Sequence, residues 1–339
     1  MLHISHDRPP FELAEQMNKQ ATCWLVTIAI GLVASPAFGQ VSESRDRHLA
    51  DCVAGQQFTI NGSAIQVSMN PGDFTLGAES ICRWITHSAT TVSHFFGSFP
   101  VSNLQLILDP VAGRGVQGGT TYSDGSPNGG PLTTVRLGRD ATQADLQGDW
   151  IMIHEMTHLA IPSVPRRSHW LEEGIATYIE PIARARRGDL SAIKIWGDMF
   201  EGMPKGLPQS GEQGLDRTRT WGRTYWGGAL FCLLADVEIR RQTSNRASLD
   251  DALRGILRAG GNITQDWSIA EVLKTGDLAT GTHVLAELYS TMGQKPGVSD
   301  LSNLWKRLGI VRSGKGVRFI DAEESAIRDA ITATSTNHP

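Results

Sequence analysis

The stretch Asp149-Trp-Ile-Met-Ile-His154-Glu155-Met-Thr-His158-Leu-Ala160 constrains this chain more than any other. No Gly or Pro interrupts it, and Ile151, Met152, Ile153, Met156 and Leu159 supply apolar surface to bury, so a helix is expected. On that helix His154 and His158, four positions apart, project from one face about one turn apart. Two imidazoles so placed suit two ligands of a tetrahedral zinc ion, with Glu155 beside them as a general base. Three fixed positions arise by chance in a chain this long on the order of a few per cent of the time, so the pattern needs a third ligand to mean more than a helix with two histidines.

Downstream, Pro162 and Pro165 stop the helix, and a second helical stretch starts near His169: Trp170-Leu-Glu172-Glu173-Gly174-Ile-Ala-Thr-Tyr178-Ile-Glu180. A short connection favours antiparallel neighbours, so a carboxylate on the facing side of this second helix can complete the metal shell. His169 is the rival third ligand, and Glu180 a candidate hydrogen-bond partner for a ligand histidine. Taken by themselves, Glu173 reads as a solvated helix residue and Tyr225 as a packed aromatic.

Together, His154-Glu-x-x-His158 and Trp-Leu-x-Glu173-Gly-x-Ala-x-Tyr178 resemble the gluzincin metallopeptidases. Thr224-Tyr225-Trp226-Gly227-Gly228, the helix that follows as far as Thr243, and segments around Ser248–Arg254 and Gly316–Ile331 resemble the glycyl aminopeptidase family in particular. The resemblance covers roughly residues 95–332. It implies an α+β fold: a thermolysin-like zincin catalytic domain with a small mixed sheet and the active-site helices, then a mainly helical C-terminal part. It also implies a zinc ion held by His154, His158 and Glu173, with Glu155 as general base and Tyr225 as hydrogen-bond donor to the developing oxyanion. The chain departs from the family at Gly227, where a lysine is usual, and has no Gly-x-Met-Glu-Asn motif upstream of His154 and no PDZ-like tail. The expected activity is therefore zinc-dependent peptide hydrolysis, with exopeptidase or endopeptidase action left open. The alternative is a zinc-bearing peptide-binding or scaffold protein without turnover.

The rest of the chain sets the context. Its 339 residues, 40% hydrophobic and 19% charged with a formal charge of −4, suit a globular protein and give no reason to expect nucleic acid as a partner. The expected partner is a peptide or protein substrate. Lys19, the apolar run from Ala21 to Ala34, and Ala37 and Gly39 form a basic, apolar and small-residue series typical of a secretory signal cleaved after Gly39. Met17 is the expected true start. The apolar run is too short for a bilayer, which needs about 20 residues, so an exported protein, periplasmic or secreted, with no remaining membrane span is expected. The expected division is a signal over residues 1–39, the zincin part over 40–183 and the helical part over 184–339. Cys52 and Cys82 form a candidate disulfide, left open because spacing says nothing of Cα separation, while Cys232 sits in an apolar run as a buried thiol.

Two smaller expectations complete the order of elements. Asn61-Gly62 between alternating runs signals a hairpin, and residues 76–99 a helix closed by Gly97. Leu104–Asp109 reads as a strand stopped by Pro110, the glycine-rich residues 112–131 as a mobile loop, and Leu132–Leu137 as a strand. This loop and strand are expected to border the cleft, where a strand edge can pair with an extended peptide.

Overall fold

The hairpin forms as its turn residues dictate. In the computed structural model, which describes Cys52 and residues 57–69, 74–127 and 129–334, Asn61 and Gly62 have φ of 46° and 85°. Both values are positive, as a two-residue turn matching strand twist requires. The turn joins β1 (Gln57–Ile60) to an antiparallel β2 (Ser63–Met69). Helix α1 (Ala78–Phe96) follows, closed by Gly97 in the left-handed region, with Ile81, Ile85, Val92 and Phe95 buried. The expected signal segment and Met17 start lie outside the described residues.

Three further strands complete a mixed sheet of order β1-β2-β3-β5-β4. β3 (Asn103–Val111) and β5 (Leu132–Gly138) add in parallel, and β4 (Val116–Tyr122) folds back antiparallel to β5 as the edge. Two expectations are corrected here. β3 runs through Pro110 rather than stopping before it. Val111 O accepts from Arg139 N on the β5 side, so Pro110 faces the β2 side, where β2 has already ended at the Met69–Leu108 pair. A missing N–H there breaks no ladder bond. The middle of the expected mobile loop is β4 itself, its Thr120, Thr121 and Tyr122 paired with Thr134, Thr133 and Leu132. The edge strand at this end of the sheet is thus β4, while β5 is interior.

The helices that follow are α2 (Gln143–Gly148), α3 (Ile151–His158), α4 (His169–Arg186), α5 (Ala192–Gly202), α6 (Gly228–Thr243), α7 (Leu249–Arg258), α8 (Ile269–Thr280), α9 (Val284–Leu288), α10 (Leu301–Leu308) and α11 (Ser325–Thr332). A small hairpin, β6 (Ile310–Ser313) and β7 (Gly316–Phe319), lies between the last two. The fold is α+β, a mixed sheet followed by a mainly helical part, as expected. Cys52 and Cys82 are joined by a disulfide with Cα atoms 5.8 Å apart, and Cys232 is buried and free. The described residues belong to one unit spanning residues 43–339. Among them no helix is long and apolar enough to cross a membrane.

Candidate metal centre

Helix α3 is short and almost wholly buried, so its position is fixed from several sides. Asp149, just ahead of it, accepts hydrogen bonds from the N–H groups of Ile151 and Met152 and from Trp84 Nε1 on α1. One carboxylate thus caps α3 and ties it to α1. Helix α4 is anchored at its start by Asp216, which accepts from Ser168 Oγ, Trp170 Nε1 and Tyr289 OH. One turn later it crosses α6 at nearly backbone contact: a Cβ on Gly174 would lie 2.3 Å from the Gly228 carbonyl carbon. Only glycine permits so close an approach. Helix α4 also continues to Arg186, past the internal Pro181.

These constraints bring His154, His158 and Glu173 together, with one donor atom from each within 4.8 Å of the others. His154 Nε2 lies 3.2 Å and His158 Nε2 3.7 Å from Glu173 Oε2. Ligands about 2.0–2.1 Å from a tetrahedral zinc ion stand about 3.4 Å from one another, so two imidazole nitrogens and a carboxylate oxygen at these separations fit that ion. Glu173 and His154 are buried, and His158 is partly exposed.

The electrostatics are those of a compact anion–cation cluster. Burial opposes ionisation of Glu173, but His154, His169 and His158 outweigh it and hold its carboxyl well below the usual range. Burial likewise opposes a charged His154, yet the Glu173 carboxylate overrides it and raises that imidazole. The rival ligand His169 stands behind Glu173. Its Nδ1 is 2.6 Å from Glu172 Oε2, and its Nε2 lies 3.3 Å from Glu173 Oε1, close enough for an ion pair but not aligned for a hydrogen bond. Burial opposes its charge, but the two carboxylates push it up to about 10. Glu172 is held in turn by Val164 N–H. Glu180 accepts a hydrogen bond from Arg184 rather than from a histidine, at 2.9 Å, and reaches His154 only through its charge. Burial lifts the Glu180 carboxyl to about 7 against the pull of Arg184.

Glu155 is buried against the edge strand. Thr121 Oγ1 lies 3.1 Å from Glu155 Oε2 and 3.0 Å from its main-chain oxygen, and is 3.1 Å from Thr133 Oγ1 across the strand pair. A Cβ at Gly119 would stand 2.5 Å from Glu155 Cγ. Gly119 and Thr121 are therefore parts of the site that the sequence reading did not single out. A signal was present, since a glycine inside a β-branched run such as Gly119-Thr-Thr-Tyr122 suggests close backbone approach. Tyr225 sits on a π-helical turn, Gly222–Gly227, that packs on α4 and leads into α6. Such turns recur at functional sites. Arg223 of the same turn is buried and donates to the carbonyls of Gly206 and Gln213, which holds the turn in place.

With this geometry in view, the fold can be compared with known ones. An aminopeptidase N family protein from Idiomarina loihiensis aligns with a TM-score of 0.58 at 14% identity, over 76% of this chain and 49% of that one. An M1 zinc metallopeptidase from Deinococcus radiodurans aligns at 0.45 and 16% identity, over 70% of this chain and 50% of that one. Yeast LTA4 hydrolase aligns at 0.46 and 14% identity, over 75% and 44%. The chain spans about half the length of these proteins. No protein-family model and no curated protein matches it. The first alignment shows a shared fold, and the α+β architecture that the resemblance implied is the one found.

Proposed function

We propose that this chain is an exported zinc metallopeptidase. The observation that carries the reading is the convergence of His154, His158 and Glu173 beside a buried Glu155. His154, His158 and Glu173 would hold the ion. Held there, zinc would supply a water made more acidic, with a pKa of about 7, and polarisation of a carbonyl. Glu155 then takes the proton at its carboxylate and returns it to the leaving amine. Thr121 fixes the rotation of that carboxylate from Oε2. Tyr225 donates to the oxyanion, a role in which removing a donor costs about 2.7–4 kcal/mol in other enzymes. The edge of β4 takes the substrate as an added strand, so that main-chain hydrogen bonds orient the scissile bond. Export is supported by the Cys52–Cys82 disulfide, a bond that persists in oxidising compartments.

Metal analysis of the purified protein, with Glu155→Gln assayed on a peptide library, tests the reading. Stoichiometric zinc with hydrolysis lost in the variant is the expected result. Absence of zinc, or unchanged hydrolysis, rejects it, and zinc without any turnover in the wild type points to a binding protein instead. N-terminal sequencing of the mature protein tests export, since a terminus upstream of Ala21 contradicts it.

A further inference from the structure

Glu173 has two carboxylate oxygens, and they have different neighbours. Oε2 faces the two ligand histidines, 3.2 Å from His154 Nε2 and 3.7 Å from His158 Nε2. Oε1 instead has His169 Nε2 at 3.3 Å. The last torsion of a glutamate side chain is broad and nearly two-fold, so the residue alone does little to decide which oxygen an ion meets. A neighbour has to decide it.

His169 is held in the place that this requires. It is the first residue of α4, and the residues on either side of it are tied to one carboxylate. Ser168 Oγ and Trp170 Nε1 both donate to Asp216 Oδ1, at 3.0 and 2.8 Å. Helical spacing then brings Glu172 and Glu173, three and four positions on, to the same side as the ring. Nδ1 lies 2.6 Å from Glu172 Oε2, and Glu172 Oε1 accepts from Val164 N–H in the connection from α3. The ring is thus fixed through one nitrogen, while the other, sealed from water, stands against Glu173. With a carboxylate at each nitrogen the ring is not placed to ligate an ion itself. The donors that converge within 4.8 Å are those of His154, His158 and Glu173, without it.

We propose that His169, held by Glu172, is a positioning residue for the metal centre: it engages Oε1 of Glu173, so that Oε2 is the oxygen presented to the ion beside the two imidazoles. The inference rests on the zinc reading above and deepens it. Groups that orient a metal ligand from behind change metal affinity or activity about 10–100-fold when they are removed.

Chelator-competition titration of the full chain with zinc tests this. His169→Phe keeps a ring of similar size and removes both nitrogens, and it should bind zinc about 10–100-fold more weakly than the wild type. Ser168→Ala cuts one tie of the helix start to Asp216 without touching Glu173, and should weaken zinc far less. The visible spectrum of the cobalt-substituted protein is a second readout, because it follows the arrangement of ligand atoms around the ion. It should shift in His169→Phe and stay unchanged in Ser168→Ala. Wild-type zinc affinity and cobalt spectrum in a folded His169→Phe overturn the proposal and leave the zinc reading standing. An equal loss in Ser168→Ala also overturns it, since a loosened helix start then explains both. Where His169→Phe does not fold, Glu172→Gln is measured in its place; a smaller loss of zinc affinity is expected, and an unchanged affinity overturns the proposal. A wild type that binds no zinc overturns both readings together.

Discussion

Gly119→Ala separates the chemistry of the site from its stability. The added methyl would stand 2.5 Å from Glu155 Cγ and 3.0 Å from both Cδ and Oε1. Carbon atoms rest at about 3.5–4.0 Å, so Glu155 must retreat by about 1 Å. A displacement of about 1 Å at a reacting group costs on the order of a hundredfold in rate. Stability should change much less. Overpacking costs about 1–3 kcal/mol, and replacing glycine inside a strand returns about 0.5–1 kcal/mol of it. The neighbouring Gly118 supplies the control, since a Cβ there meets only Arg136 at 3.6 Å, an ordinary contact. On a peptide the wild type cleaves, Gly119→Ala should lose about two orders of magnitude in kcat/KM while keeping its zinc, and Gly118→Ala should stay within about twofold. If both variants retain activity while Glu155→Gln loses it, the close contact between β4 and Glu155 is not what sets the position of the base.

Three further outcomes follow from other contacts. Gly174→Ala forces a methyl into the Gly228 backbone, so it should cost about 1–3 kcal/mol or more and lower the melting temperature by several degrees in thermal denaturation; an unchanged melting curve refutes the close crossing. Zinc affinity should rise with pH through neutrality, by about tenfold per unit for each proton displaced, because Glu173 holds the metal-free His154 above its usual pKa; competition titration between pH 6 and 8 reads this, and a flat profile contradicts it. In the metal-free protein, His169 has a folded pKa of about 10 against an unfolded value of 6.5. Its contribution is fully present below pH 6.5 and lost as pH rises to about 10, so the stability advantage of wild type over His169→Gln should shrink across that window in denaturant titrations. An advantage that grows with pH has the wrong sign.

What could be read from the sequence was whatever a local period encodes. The spacing of His154 and His158 needs only a helix, and the Asn61-Gly62 turn needs only two residues that tolerate positive φ. The place of Glu173 became legible through its resemblance, because the meeting of α3 with α4 depends on tertiary anchors such as Asp216 and the Gly174–Gly228 crossing.

The glycine-rich stretch shows why the remainder was hidden. Local propensity counts glycine against a strand, because its backbone loses most freedom on folding. That rule led to a loop where β4 lies. The cost is offset by a neighbour 36 positions away: Glu155 occupies the space that a side chain at 119 would fill, and Thr121 on the same strand reaches its carboxylate. The same logic holds at Gly174, where the missing side chain lets α4 approach α6 with Glu173 one residue earlier. In both places the position of a functional carboxylate is set by a neighbouring residue that has no side chain. A composition-based reading scores such glycines as flexibility, whereas the fold uses them as clearance, and only the partner across the contact tells the two apart.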